Sequence, residues 1–243
     1  MDIQWQNFLT EEMAKPYFKE LIAFIKQERL TKKVIPAPEN VFEAFNLCPF
    51  HELSTVLYDY EPDIQPNANH GIAYSSKLET RSTAIRNILC EASRQPEFYM
   101  DKIYPHNDLS FWAKQGILML NFNMTGVESI EYAHASKGWT EFQTNLVKFL
   151  NTHKNRLTFM LWGKPIIDNI KPVIDSSRHL ILEAGHPAKD PLYDWAYNCH
   201  FLKASLFSQF ESRILPGEDV TSIRVDMSIE EVNMGGRINW GLE

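Results

Sequence analysis

The sequence contains few cysteines. Cys48, Cys90 and Cys199 are the three in the chain, and they are odd in number and widely separated. This spacing gives neither a disulfide framework nor a CxxC metal-binding pair. No cluster of histidines and cysteines has the spacing of metal ligands, so we expect no metal and no organic cofactor. The predicted location is the reducing cytoplasm.

Long apolar runs, internal repeats and low-complexity segments are also absent. No run approaches the roughly 18 apolar residues that a membrane helix needs, so no membrane association is expected. Residues 1–5 (MDIQW) lack the basic and apolar regions of a signal peptide. The net charge of −7 argues against non-specific coating of nucleic acid, although it leaves room for a local basic groove.

The overall composition is that of an ordinary globular protein. Hydrophobic residues make up 44% of the chain and charged residues 23%, which argues against disorder, collagen and coiled coil. A length of 243 residues favours a single domain that spans residues 1–243. We expect this domain to be a monomer.

Four short apolar runs predict buried β-strands, and they are residues 54–58, 116–121, 157–162 and 179–184. Each run is almost continuously apolar, which is typical of a strand covered on both faces. Between the runs, residues 16–29 and 138–150 carry apolar side chains at helical spacing. This alternation predicts βαβ units, and therefore an α/β fold with a mostly parallel sheet and helices on both faces.

Polar side chains follow each of the four predicted strands. They are Asp59 and Glu61 after the first strand, Asn121 at the end of the second, Lys164 after the third and His186 after the fourth. Ligands of parallel sheets bind beyond the carboxyl ends of the strands. We therefore expect these residues to converge on one edge of the sheet.

The order and spacing of several segments resemble the uracil-DNA glycosylase family. The segments are residues 15–28 (KPYFKELIAFIKQE), 59–71 (DYEPDIQPNANHG), 108–121 (DLSFWAKQGILMLN), 137–142 (KGWTEF), 161–165 (LWGKP) and 238–240 (INW). The resemblance implies a three-layer sandwich around a four-stranded, parallel, twisted sheet. It also implies that the partner is DNA, from which the target base is rotated into a cleft.

Two residues receive catalytic roles through this resemblance, and a third is a candidate by its position. His186 matches the family's electrophile, which donates a hydrogen bond to the pyrimidine O2 as negative charge develops there. Glu61 stands where the family has a water-activating aspartate, and it keeps the charge on a side chain one methylene longer. Asp59, two residues earlier, is a second candidate for the base.

Recognition of the flipped base is expected from Asn121 and Tyr74. Asn121 corresponds to the family's base-reading asparagine, whose carboxamide offers both a donor and an acceptor. It can therefore read the edge of uracil or, rotated, the edge of cytosine. Tyr74 corresponds to the phenylalanine that stacks on the flipped base.

The loop after the first strand departs most from the family, which reads GQDPYHGPNQAHG where this chain has residues 59–71. Tyr60 replaces a glutamine and Ile64 replaces a histidine. Asp63 replaces the tyrosine that crowds carbon C5 of the pyrimidine. The wall against C5 substituents should therefore be open, and a carboxylate there accepts hydrogen bonds from hydroxyl groups.

Contacts with the DNA backbone are expected from Ser82, Thr83, Lys164, Ala188 and Lys189. Ala84 and Ala188 each replace a serine of the family. Leu192 matches the family's intercalating leucine, which fills the space that the base vacates. An inserted segment at about residues 216–236 has an alternating pattern that predicts an added strand or hairpin.

Three functions are consistent with these residues. The first is a monofunctional DNA glycosylase that excises a C5-modified pyrimidine, such as the hydroxymethylated or glucosylated cytosine of bacteriophage DNA, and leaves an abasic site in anti-phage defence. The second is an ordinary uracil-DNA glycosylase of base excision repair. The third is an inactive glycosylase fold that binds DNA or protein. No lysine nucleophile has a family-matched role, so strand cleavage through a Schiff base is not expected.

Overall fold

A computed structural model describes residues 1–93 and 106–190, together with His200, Phe201 and Ala204. The strands of this part of the chain are β1 (Val34–Ile35), β2 (Thr55–Asp59), β3 (Ile117–Asn121), β4 (Gly126–Val127), β5 (Thr158–Trp162) and β6 (Leu180–Ala184). Four of them form one parallel sheet in the order β3-β2-β5-β6. Each of these four strands lies within one residue of a predicted run, so the strand predictions are confirmed. Strands β1 and β4 pair separately as an antiparallel ribbon.

The helices of the described residues cover the sheet and its edges. They are α1 (Ile3–Ala14), α2 (Pro16–Glu28), α3 (Glu43–Leu47), α4 (Thr83–Ser93), α5 (Ser110–Ala113), α6 (Trp139–His153) and α7 (Lys164–Ile170). Helix α2 begins at Pro16, whose fixed φ and missing N–H suit a first turn, and it buries Phe18, Leu21 and Ile25. Among the described residues, no helix is long and apolar enough to cross a membrane.

The sheet separates two apolar cores, as the α/β prediction requires. Because side chains alternate along a strand, Val56 and Tyr58 of β2 face one core and Leu57 faces the other. Helices α1, α2, α6 and α7 cover the first face, and α4 and α5 cover the second. The predicted three-layer sandwich with a four-stranded parallel sheet is therefore confirmed.

A buried hydrogen-bond network joins α6 to the carboxyl ends of β2 and β3. Gln143 of α6 is completely buried. Its Nε2 donates to the carbonyl oxygens of Asn121 and Phe122, each at 3.1 Å, and its Oε1 accepts from the Tyr58 hydroxyl at 3.2 Å. Buried polar groups are costly when unpaired, so this network fixes the backbone where the strands end.

His179, just before β6, is held in its neutral form by its surroundings. The side chain is 3% exposed, and its Nδ1 accepts the backbone N–H of Leu157 at 3.2 Å. Burial lowers the pKa of His179 from 6.5 to about 4. A proton on Nδ1 would have to displace the Leu157 hydrogen bond.

We therefore predict that His179 makes the free energy of unfolding depend on pH. The unfolded chain takes up the proton near pH 6.5 and the folded chain only near pH 4, so stability is complete above pH 6.5 and is lost as the pH falls towards 4. The loss attributable to His179 is about 2 kcal/mol at pH 5 relative to pH 7.5. His179→Asn keeps an acceptor without the titration, so urea denaturation at both pH values should reveal a smaller loss.

The exposed His51 provides the control, because His51→Asn removes a histidine from the surface and leaves the buried His179 in place. An equal loss of stability in the parent and in His179→Asn would contradict the prediction.

Candidate functional site

A cavity of about 280 Å³ lies where β2 and β6 end. The loop after β2, the first turn of α4 and the loop after β6 form its walls. Its volume is near the lower end of the range for small-molecule sites, roughly 300–1,000 Å³. The predicted site residues that line it are Asp59, Tyr60, Glu61, Asp63, Ile64, Tyr74, Ser82, Thr83, His186, Ala188 and Lys189.

The hydrogen bonds of His186 determine which of its ring nitrogens carries the proton. Nδ1 accepts the backbone N–H groups of Ala188 at 3.0 Å and Lys189 at 3.1 Å. A nitrogen that accepts two hydrogen bonds is unprotonated, so the proton of the neutral ring is on Nε2. Nε2 lies 3.3 Å from Oδ1 of Asp59. His186 is therefore oriented as a hydrogen-bond donor at the cavity.

Several hydrogen bonds fix the loop that carries His186. The His186 N–H donates to Oδ2 of Asp190 at 2.5 Å, and the Asp190 N–H donates back to the His186 carbonyl at 3.2 Å. Nδ2 of Asn87, on α4, donates to the Pro187 carbonyl at 2.6 Å. These bonds fix the imidazole without occupying the cavity.

Glycine at position 163 allows this loop to approach β5. Gly163 has φ +96°, and a Cβ there would lie 3.3 Å from Cβ of His186. A side chain at this position would therefore be strained and would press on His186.

Glu61 is held between two loops. Its Oε2 accepts the backbone N–H of Tyr132 at 2.6 Å, and its Oε1 lies 4.0 Å from Nζ of Lys189. Nζ of Lys189 in turn donates to the Tyr132 hydroxyl at 3.0 Å. Burial raises the pKa of Glu61. Because basicity rises with pKa, this carboxylate is more basic than an exposed one.

Tyr74 provides an aromatic wall. Its ring centroid lies 5.9 Å from that of His186 and 5.5 Å from that of Trp162. The backbone has φ +58°, a left-handed conformation that costs a non-glycine residue of order 1–3 kcal/mol. Burial raises the pKa of the Tyr74 hydroxyl well above 10.0. The packing around Tyr74 therefore holds a neutral ring in a strained position beside His186.

Asn121 lies next to Asp59 in the sheet but is not part of the cavity wall. The two residues are partners in the β2–β3 register, so their side chains share the sheet face that carries Leu57 and Met119. Asn121 is 5% exposed, and its Oδ1 has no hydrogen-bond partner among the described residues. A buried oxygen without a donor is costly, and a ligand N–H would satisfy it.

The residues predicted to contact DNA occupy different positions. Ser82 caps α4, with Oγ accepting the Ile85 N–H at 3.2 Å, so that Ser82 and Thr83 present a helix N-terminus to the cavity mouth. Lys164 is outside the cavity wall and pairs with Asp168 at 2.8 Å. Leu192 and the inserted segment 216–236 lie outside the described residues.

Sequence reasoning did not identify the contribution of Glu131 and Tyr132. Glu131 lines the cavity, and Tyr132 supplies the N–H and hydroxyl contacts to Glu61 and Lys189. Tyr132 has a left-handed backbone with φ +56°. Tyrosine does not favour this conformation, so the sequence gives no indication of it. Among the residues that the structure describes, no group of three or more His, Cys, Asp or Glu side chains is arranged to hold a metal ion.

The chain is similar in sequence and fold to known proteins, although no protein-family model matches it. The uracil-DNA glycosylase of Borrelia hermsii is 35% identical over 210 residues, which cover 84% of this chain and 89% of the relative. That of Mycoplasmopsis pulmonis is 29% identical over 241 residues, covering 99% and 98%. The crystal structure of mimivirus uracil-DNA glycosylase has a TM-score of 0.76 at 21% identity, covering 87% of this chain and 84% of that chain.

We predict that Gly163→Ala destabilises the protein and displaces His186. The positive φ and the 3.3 Å contact together should lower the free energy of unfolding by about 1–3 kcal/mol. Gly126→Ala is the matched control, because a Cβ there has only an ordinary 3.8 Å contact with Pro62. Urea denaturation and the imidazole nitrogen resonances of His186 measure the two effects. Equal behaviour of the two variants would refute this role of Gly163.

Proposed function

Because the chain belongs to the uracil-DNA glycosylase family, whose members are DNA N-glycosylases, we propose that it excises uracil from DNA. The observation that carries this proposal is the orientation of the His186 ring. Its two backbone hydrogen bonds at Nδ1 leave a protonated Nε2 directed into the cavity. A donor fixed in this way is suited to stabilise an oxyanion on a departing base.

The proposed reaction is hydrolysis of the bond between C1′ of deoxyribose and N1 of the pyrimidine. The electron pair of this bond leaves with the base, which becomes an anion, while the sugar becomes an oxocarbenium ion. His186 donates to the carbonyl oxygen of the anion. Glu61 stabilises the cation and accepts a proton from the water that adds to C1′. The products are free base and an abasic site.

A base inside a duplex has no access to such a cavity, so the nucleotide must rotate out of the helix. The volume of about 280 Å³ suits one base rather than a longer piece of DNA. Tyr74 offers a face for stacking. Asn121 lies outside the cavity wall beside Asp59. Its Oδ1, unpaired among the described residues, is the acceptor that the N3–H of a uracil displacing Asp59 would meet.

We predict that the protein releases uracil from duplex oligonucleotides and that His186→Ala and Glu61→Gln each reduce the single-turnover rate by about 100-fold or more. The loss at His186 reflects the missing donor, and the loss at Glu61 reflects the missing charge and base. Glu20→Gln, at an exposed position of α2, is the control and should keep the parent rate. Absence of uracil release by the parent protein would contradict the proposal, and DNA binding without release would favour a binding module.

A second candidate substrate is a pyrimidine with a polar C5 substituent, such as hydroxymethylated or glucosylated cytosine. The observation that favours it is the carboxylate of Asp63 in the cavity wall. Oδ1 of Asp63 accepts the N–H of Gln65 at 3.0 Å, which leaves Oδ2 as an acceptor for hydroxyl groups. Excision of such bases from bacteriophage DNA would serve in defence. The relatives support uracil in preference to this narrower substrate.

Asp63→Tyr tests the second candidate. A tyrosine should close the wall, so we predict a decrease of at least about 10-fold in release of hydroxymethylcytosine and a smaller change in release of uracil. Mass spectrometry of the released bases measures both on the same panel of oligonucleotides. Unchanged release of the bulky base by this variant would contradict the assignment of Asp63.

A further inference from the structure

Two hydrogen-bond donors of the cavity converge on one oxygen of Asp59. Oδ1 accepts the backbone N–H of Tyr60 at 2.7 Å, and Nε2 of His186 lies 3.3 Å from the same atom. The Asp59 side chain is 16% exposed and lines the cavity. The Asp59 carboxylate therefore occupies the position to which both the Tyr60 N–H and Nε2 of His186 are directed.

Nε2 is the nitrogen through which neutral His186 can donate a hydrogen bond. Its Nδ1 is already an acceptor for the N–H groups of Ala188 and Lys189, so Nε2 is the one donor of the neutral ring. A base carbonyl that needs this donor must compete with Asp59. Both the carboxylate and the departing base are negatively charged, so they cannot share the position favourably.

We propose that the carboxylate of Asp59 occupies the place of the base carbonyl oxygen and restrains the excision of uracil. This inference rests on the proposed function. Part of the binding energy of any base must be used to turn Asp59 away from His186. Uracil offers only its ring edge for this purpose, whereas a base with a polar C5 substituent gains further contacts with Asp63. The cost of displacing Asp59 is common to both bases, and the base with these further contacts has more binding energy to offset it.

The substitution Asp59→Gly removes the carboxylate and leaves both donors without this acceptor. The side chain belongs to the last residue of β2, whose partner in the register is Asn121, so the strand pairing does not depend on it.

The test compares Asp59→Gly and Asp59→Asn with the parent protein in single-turnover release of uracil from duplex DNA. Asp59→Gly should be at least about tenfold faster, because Nε2 of His186 and the Tyr60 N–H become available to the base. Asp59→Asn should show a smaller gain, because its amide can still accept from Tyr60 but carries no charge. Glu20→Gln makes the same change in net charge at an exposed helix position and should leave the rate unchanged.

Binding of free uracil, measured by calorimetric titration, separates this inference from the proposed function. Asp59→Gly should bind free uracil at least about tenfold more tightly than the parent, with Asp59→Asn between them. Tighter binding without release of any base from DNA would support the role of Asp59 while the proposed function fails. A slower Asp59→Gly, or equal binding by all three proteins, would overturn the inference even if the parent releases uracil. Thermal unfolding checks that each variant is folded. If Asp59→Gly does not fold, the comparison of Asp59→Asn with the parent protein decides the test.

Discussion

The parallel register of the sheet is the constraint on which the candidate site depends. Because β2, β3, β5 and β6 run in one direction, every chain segment that leaves a strand end emerges at the same edge. Backbone hydrogen bonds continue the ladder beyond the strands, from Phe122 N–H to the Asp59 carbonyl at 2.7 Å and from Gly163 N–H to the Ala184 carbonyl at 2.8 Å. The sheet therefore determines where the segments carrying Asp59 and His186 begin, before any side chain is considered.

A second set of residues fixes the side chains at this edge without lining the cavity. Gln143 holds the backbone at the end of β3, Asn87 holds the Pro187 carbonyl, and Asp190 closes the loop of His186. Tyr132 does the same for Glu61 through its backbone N–H. Such supports keep donors and acceptors in place before a ligand arrives, which is the condition under which they stabilise developing charge most effectively.

Much of the fold was predictable because its signals are local. The four long strands are continuous apolar runs between polar turns, and Pro16 marks the start of α2. Strands β1 and β4 have two residues each, too few for any periodic pattern to reveal them. Helix α6 continues to His153, beyond the predicted end at residue 150. The prediction ended too early because the last residues of the helix are polar and do not extend the apolar repeat.

The sequence predicts that the site residues follow the ends of the strands. It does not predict which of these side chains contact one another. The contact of Asp59 with His186 joins residues 127 positions apart, so it depends on tertiary structure alone. Lys164 follows the end of β5 as expected, but it is the first residue of α7, pairs with Asp168 one turn later and does not line the cavity. Tyr132 depends on a left-handed backbone that its residue type does not favour.

We propose that the cavity between Asp59, Tyr74 and His186 receives a pyrimidine rotated out of duplex DNA. The most direct measurement is a crystal structure of the protein with a duplex that carries a 2′-fluorinated, cleavage-resistant deoxyuridine. We expect the uracil ring inside the cavity, a base carbonyl within hydrogen-bond distance of Nε2 of His186, and the Asp59 carboxylate turned away from that nitrogen. A uracil that remains stacked in the duplex, or that binds at another surface while this cavity stays closed, would contradict it.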